Sequence, residues 1–108
     1  MEEDTPRQEV EGSAAKEYAL LGGYPNPFNP STTVRFALRA TSKVSMKIYN
    51  SIGQEVTTLV DGREDAGLHE VRWDASSVAS GVYFCRMTAA DENGAGQFTA
   101  TQKLLLVK

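Results

Sequence analysis

The sequence predicts an all-β sandwich of six to seven short antiparallel strands, and three observations predict it. Apolar residues recur with a period of two from Thr32 onward, the spacing that puts one side of a pleated strand into a core. Turns rich in glycine or asparagine punctuate the chain at roughly 8 to 12 residue intervals, as sandwich strands require. No stretch combines a helical apolar period with a cap.

Residues 1–17 carry six acids and two bases, whereas residues 18–108 carry eight acids and nine bases. The first stretch is polar, lacks an apolar period and contains Gly12-Ser13-Ala14-Ala15, so it reads as a flexible acidic linker supplied by a preceding domain. Residues 18–108 then form one domain, near the lower end of sizes that bury a self-sufficient core. Tyr24-Pro25-Asn26-Pro27-Phe28-Asn29-Pro30 places three prolines in seven positions. Each proline fixes φ near about −65° and lacks an N–H, so this heptad is expected to be a stiff lead-in outside any sheet ladder, marking where the domain begins.

Val34, Phe36 and Leu38 alternate with Thr33, Arg35 and Ala37 as a first strand. Val44, Met46 and Ile48 alternate with Lys43, Ser45 and Lys47 as a second, and Arg39 to Ser42 is short enough to join the two as a hairpin. Asn50 to Gly53 is a turn, Gln54 to Val60 a β-branched strand, and Asp61-Gly62 opens a polar loop ending at Gly67. Leu68 to Trp73 follows, with Val71 and Trp73 on one side and Glu70 and Arg72 on the other; Trp73 is the natural core anchor. Val82 to Thr88 is apolar on both sides in its first half and reads as a central strand. Asn93-Gly94 supplies the positive φ values of a tight hairpin turn, after which Gln97 to Lys108 forms the closing strand.

The chemistry-bearing residue types are sparse. Cys85 is the only cysteine, which excludes an internal disulfide and a multi-cysteine zinc site; it reads as a small apolar filler. His69 is the only histidine, and no nucleophile elbow accompanies it, so a hydrogen-bonded structural role is expected. Asp61, Glu64 and Asp65 offer hard oxygens for calcium but lack the ordered spacing of a calcium loop. Asn29-Pro30-Ser31 fails as a glycosylation acceptor because of its proline. No basic run with interleaved aromatics points to nucleic acid, and the apolar run Leu104 to Val107 is far too short to span a membrane. The residues thus point away from an enzyme or a cofactor carrier, and toward a module whose information lies in its surface, its edge strands and its two ends. The N-terminus lacks the basic and apolar regions of a secretory signal, so if the protein is exported its signal is expected upstream.

Several blocks, in order, resemble the C-terminal type A sorting domain of proteins exported by the type IX secretion system of Bacteroidetes and related bacteria. Tyr24 to Thr33 is similar to its opening motif, and Val44 to Tyr49 with Ile52-Gly53-Gln54-Glu55-Val56 to its next strand and turn. Ala66 to Asp74, Val78 to Phe84 and Lys103 to Lys108 complete the match. The resemblance implies an immunoglobulin-like sandwich that serves as an address: the outer-membrane translocon recognises it in the periplasm, and a sorting peptidase then releases the upstream cargo to the cell surface or the medium. By motif it singles out Gly81, Tyr83, Lys103, Leu104, Leu105, Leu106, Val107 and Lys108 for recognition, and Tyr24 to Pro30 as the domain start. It also implies that Lys108 is the natural C-terminus. Cys85 departs from the family pattern, and the loop Asp91 to Gly96 is longer than usual.

A strand rich in Leu and Val at a sheet edge offers main-chain groups for capture by strand addition, with flanking lysines setting register. On that basis, removing the last five residues is expected to block export while leaving the sandwich folded. The sandwich also resembles the immunoglobulin-like domain of flagellar hook-capping proteins, which implies an alternative role as a self-associating assembly module.

Overall fold

The computed structural model describes residues 17–94 and 96–108, so the linker expected over residues 1–17 lies, apart from Glu17, outside the described residues. Seven strands form: β1 (Ala19–Tyr24), β2 (Ser31–Leu38), β3 (Ser42–Asn50), β4 (Glu55–Glu64), β5 (Gly67–Asp74), β6 (Gly81–Asp91) and β7 (Gln97–Leu106). They build two antiparallel sheets, ordered β1-β2-β5 and β4-β3-β6-β7. The immunoglobulin-like sandwich is therefore present.

Alternation places the core where the sequence puts it. Val34, Phe36 and Leu38 of one layer meet Val44, Met46, Ile48, Cys85, Met87 and Ala89 of the other, all buried. β6 lies between β3 and β7, the central position its apolar content predicts; Tyr83, Cys85, Met87 and Ala89 face the core, while Val82 and Phe84 on the outer side are half-buried. Trp73 is buried, as a core anchor should be.

Two expectations fail for identifiable reasons, and one strand has no signature in the sequence. β1 has no signature because Ala19 to Tyr24 does not alternate: the ladder slips between Leu20 and Gly22, leaving Leu21 exposed. Arg39 to Ser42 is not a hairpin. Both edges of β2 are taken by β1 and β5, so the chain crosses to the other sheet, where β3 pairs with β4 and β6. Asp61-Gly62 does not open a loop either; both residues pair with Ser45 and Val44 inside β4. Gly62 has φ 152° with open space at its Cβ position, so the residue relieves backbone rather than crowding.

Candidate recognition surface

The heptad Tyr24 to Pro30 enters a ladder after all. Its prolines lack N–H groups, but Phe28 between them keeps both main-chain partners. The Phe28 N–H donates to the Leu105 carbonyl at 2.9 Å, and the Phe28 carbonyl accepts from the Val107 N–H at 3.0 Å, forming a parallel bridge opposite Leu106. Asn26 extends this contact with its side chain: Nδ2 donates to the Lys103 carbonyl and Oδ1 accepts from the Leu105 N–H, both at 2.9 Å. Thr32 Oγ1 donates to the Pro25 carbonyl at 2.8 Å, and the Ala75 N–H donates to the Pro30 carbonyl at 2.8 Å, so the arm is fastened at both ends. Its three X-Pro peptides are cis.

The arm is also packed into the core. Phe28 is buried against Trp73, ring centroids 5.5 Å apart, and Trp73 meets Tyr83 edge-on at 5.3 Å. Burying a phenylalanine in this way contributes about 1.5–3 kcal/mol. Tyr83 is buried and its hydroxyl donates to the Ala79 carbonyl at 2.5 Å, closing the loop that precedes Gly81. Gly81 has φ 155° with nothing near its Cβ position, so backbone conformation is what favours glycine there. Gly23 differs: a Cβ would lie 2.8 Å from Leu104 Cδ2 and 3.0 Å from Thr32 Oγ1, so β1 passes close over β7 only because that side chain is missing.

The last residues split by parity. Leu104 and Leu106 are buried core residues, whereas Lys103, Leu105, Val107 and Lys108 are exposed. Lys108 reaches back, its N–H donating to Ser80 Oγ at 3.0 Å and its Nζ to the Ser76 carbonyl at 2.8 Å. Tyr24, 81% exposed, stands two residues before Asn26. Opening arm, Gly81 to Tyr83 segment and closing residues thus meet at one corner of the sandwich.

β7 is an edge strand, as capture by strand addition requires, but toward its end the Lys103 carbonyl, both main-chain groups of Leu105 and the Val107 N–H are already bonded to the arm. An outside strand therefore finds this part of the edge occupied.

Beside the corner lies a depression of about 340 Å³ on the outer side of the larger sheet, lined by Tyr49, Asn50, Phe84, Arg86 and Thr101. Lys103 pairs with Phe84 across the ladder and stands at its margin. Only the outward parity of Tyr49 and Phe84 marked this place in the sequence.

The remaining candidates have structural settings. Burial pushes the Cys85 thiol up to about 12, leaving it protonated at neutral pH. His69 stacks on Phe36 at 5.1 Å, and its Nε2–H donates to the Asp65 carbonyl at 2.7 Å. Glu64 stands 3.7 Å from His69 Nδ1, and Asp65 4.0 Å from Arg63. Among the described residues no group of three or more His, Cys, Asp or Glu could hold a metal ion. No helix of the described residues is long and apolar enough to cross a membrane.

A family model described as the secretion system C-terminal sorting domain matches residues 23–104. The chain belongs to this family. Sorting domains of this kind are C-terminal signals for type IX secretion, which directs proteins toward the cell surface or the extracellular space. The matched span takes in the arm, Gly81 and Tyr83, and β7 through Leu104. In fold, the sorting domain is similar to CopC from Methylosinus trichosporium OB3b, with a TM-score of 0.56 and 18% identity over 83% of this chain and 93% of CopC. It is also similar to PorZ, an essential bacterial surface component of the type-IX secretion system of Porphyromonas gingivalis, at 21% identity and a TM-score of 0.47. That likeness covers 90% of this chain but 13% of PorZ, so the chain spans a small part of PorZ's length. No curated protein sequence matches the chain.

Proposed function

We propose that the corner built by the arm and the closing residues is the face by which the type IX outer-membrane translocon recognises the folded sorting domain. Lys103, Leu105, Val107 and Lys108 present the exposed side chains, with Tyr24 alongside. Leu104, Leu106, Gly81 and Tyr83 act beneath them by holding that face in shape. The observation that carries this reading is the pair of hydrogen bonds that the Asn26 side chain makes with the Lys103 carbonyl and the Leu105 N–H. It makes the opening motif and the closing residues one surface rather than two signals.

On this reading the domain does no chemistry. A protonated thiol in the core and a histidine spent on stacking and a carbonyl bond support that view. An upstream cargo, joined through residues 1–17 as a linker, travels with the domain through the periplasm. A sorting peptidase then separates the two, and the cargo reaches the surface or the medium.

The test is export of a signal-peptide-bearing fluorescent reporter fused to this chain, in a type IX host and in its translocon mutant. Release from the intact host alone, abolished by Lys103→Glu with Lys108→Glu while the domain stays folded, supports the reading. Undiminished export of that double variant overturns the assignment of the face.

A further inference from the structure

The outer edge of β7 divides into two parts. Lys103 C=O, Leu105 N–H and C=O and Val107 N–H all point at the arm, so odd-numbered residues of β7 turn their main-chain groups away from β6. The same parity gives outward groups to Gln97, Thr99 and Thr101, which are exposed, and no strand lies beyond β7 in its sheet among the described residues. The ten pairs of β7 with β6 run without a register shift, and from Gln97 to Gln102 there is neither a charge nor a proline. Natural edges are normally blunted by such features. The other edges here have them: two register shifts and four charged residues in β4, a shift in β1, and Glu70, Arg72 and Asp74 in β5.

We propose that this open edge pairs antiparallel with the same edge of a second copy of the chain, on a twofold axis through Thr99. Two four-stranded sheets then become one of eight. The boundaries of the edge set the register. Gln97 begins the strand, Asn26 covers the edge from Lys103 onward, and the midpoint of what remains is Thr99. Outward groups must face outward groups, so Thr99 meets its own copy and Gln97 meets Thr101. Moving the axis toward Lys103 drives the second copy's Gln97 against Asn26, and moving it the other way leaves Thr101 unpaired. Threonine pairs suit cross-strand contact, and no like charges face each other. Lys103 points instead toward the acidic turn of the second copy, which carries Asp91 and Glu92. Of the proposed recognition corner this pairing engages Lys103 alone and leaves Tyr24, Leu105, Val107 and Lys108 uncovered, and it does not depend on the corner's role.

Sedimentation equilibrium of the 108-residue chain tests it. The wild type is expected to show a reversible monomer–dimer equilibrium. Thr99→Lys and Thr99→Glu, each placing like charges on the axis, are expected to weaken it about tenfold or more, and an equimolar mixture of the two to regain a heterodimer. Thr99→Pro removes an outward N–H without touching the bonds to β6 and is expected to give a folded monomer. Amide exchange at Thr99 and Thr101 should slow as concentration rises, while Leu105 stays protected throughout. A wild type that remains monomeric at millimolar concentration overturns the proposal, as does a dimer indifferent to Thr99→Lys. Open-ended polymers overturn it too, because a twofold pairing closes.

Discussion

Asn26 stands in for a strand at Leu105: one side-chain amide takes the Leu105 N–H and the neighbouring Lys103 carbonyl, both at 2.9 Å. Asn26→Ala removes both bonds and leaves the edge of β7 to water, at a cost of about 1–2 kcal/mol in urea unfolding. Amide exchange at Leu105 should accelerate more than at Val107, whose partner is the Phe28 carbonyl. Asn26→Asp keeps the acceptor and loses the donor. It is expected to be no more stable than Asn26→Ala, because a carboxylate then faces the Lys103 carbonyl.

Gly23→Ala places a methyl 2.8 Å from Cδ2 of the fully buried Leu104. Overpacking of this kind costs about 1–3 kcal/mol. Shortening the opposing side chain should relieve the clash, so Gly23→Ala with Leu104→Val is expected to cost less than the sum of the single changes. A double-mutant cycle by chemical denaturation checks this.

Removal of Leu104 to Lys108 is expected to unfold the domain rather than merely silence it. Leu104 and Leu106 are buried, and each such leucine lost costs about 2–5 kcal/mol, against a total stability of about 5–15 kcal/mol for a small domain. Phe28 also loses its bridge. Circular dichroism should show a lost transition for the truncation, while Lys103→Glu with Lys108→Glu keeps it. Only the charge reversal therefore separates recognition from folding.

Cys85 should resist alkylation at pH 8 in the native state and react fast in denaturant, because its thiol is buried and held protonated up to about 12. The linkage has a definite sign. The unfolded thiol titrates near 9.0 and the folded one near 12, so its contribution to stability is complete below pH 9 and is lost as pH rises from 9 to 12. Cys85→Ala should flatten that part of the stability profile.

Much of this fold was legible from alternation. Val34 to Leu38, Val44 to Ile48 and Val71 to Trp73 each hide one side, and period two reports that directly. What escaped was information carried by position rather than pattern. The glycines of β1 read as loop, although one of them answers a leucine far along the chain. A four-residue connection has the same length whether it turns within a sheet or crosses between two, and only the occupancy of both β2 edges decides. The proline arm carried its resemblance openly, yet its docking rests on the single N–H and carbonyl of Phe28, which no periodicity exposes. Leu104 to Val107 reads as one apolar run, and parity divides it into core and surface only once β7 is set against β6.

The clasp between Asn26 and Leu105 joins residues 79 positions apart, so the stretch of the sandwich made first is finished only by the stretch made last. A nascent chain halted before Lys103 has an arm with nothing to hold and a core without Leu104 and Leu106. Closure of the sandwich in this sense reports that the chain has been made through Leu106. On the function proposed above, a translocon that recognises the closed corner passes over chains that stop before Lys103.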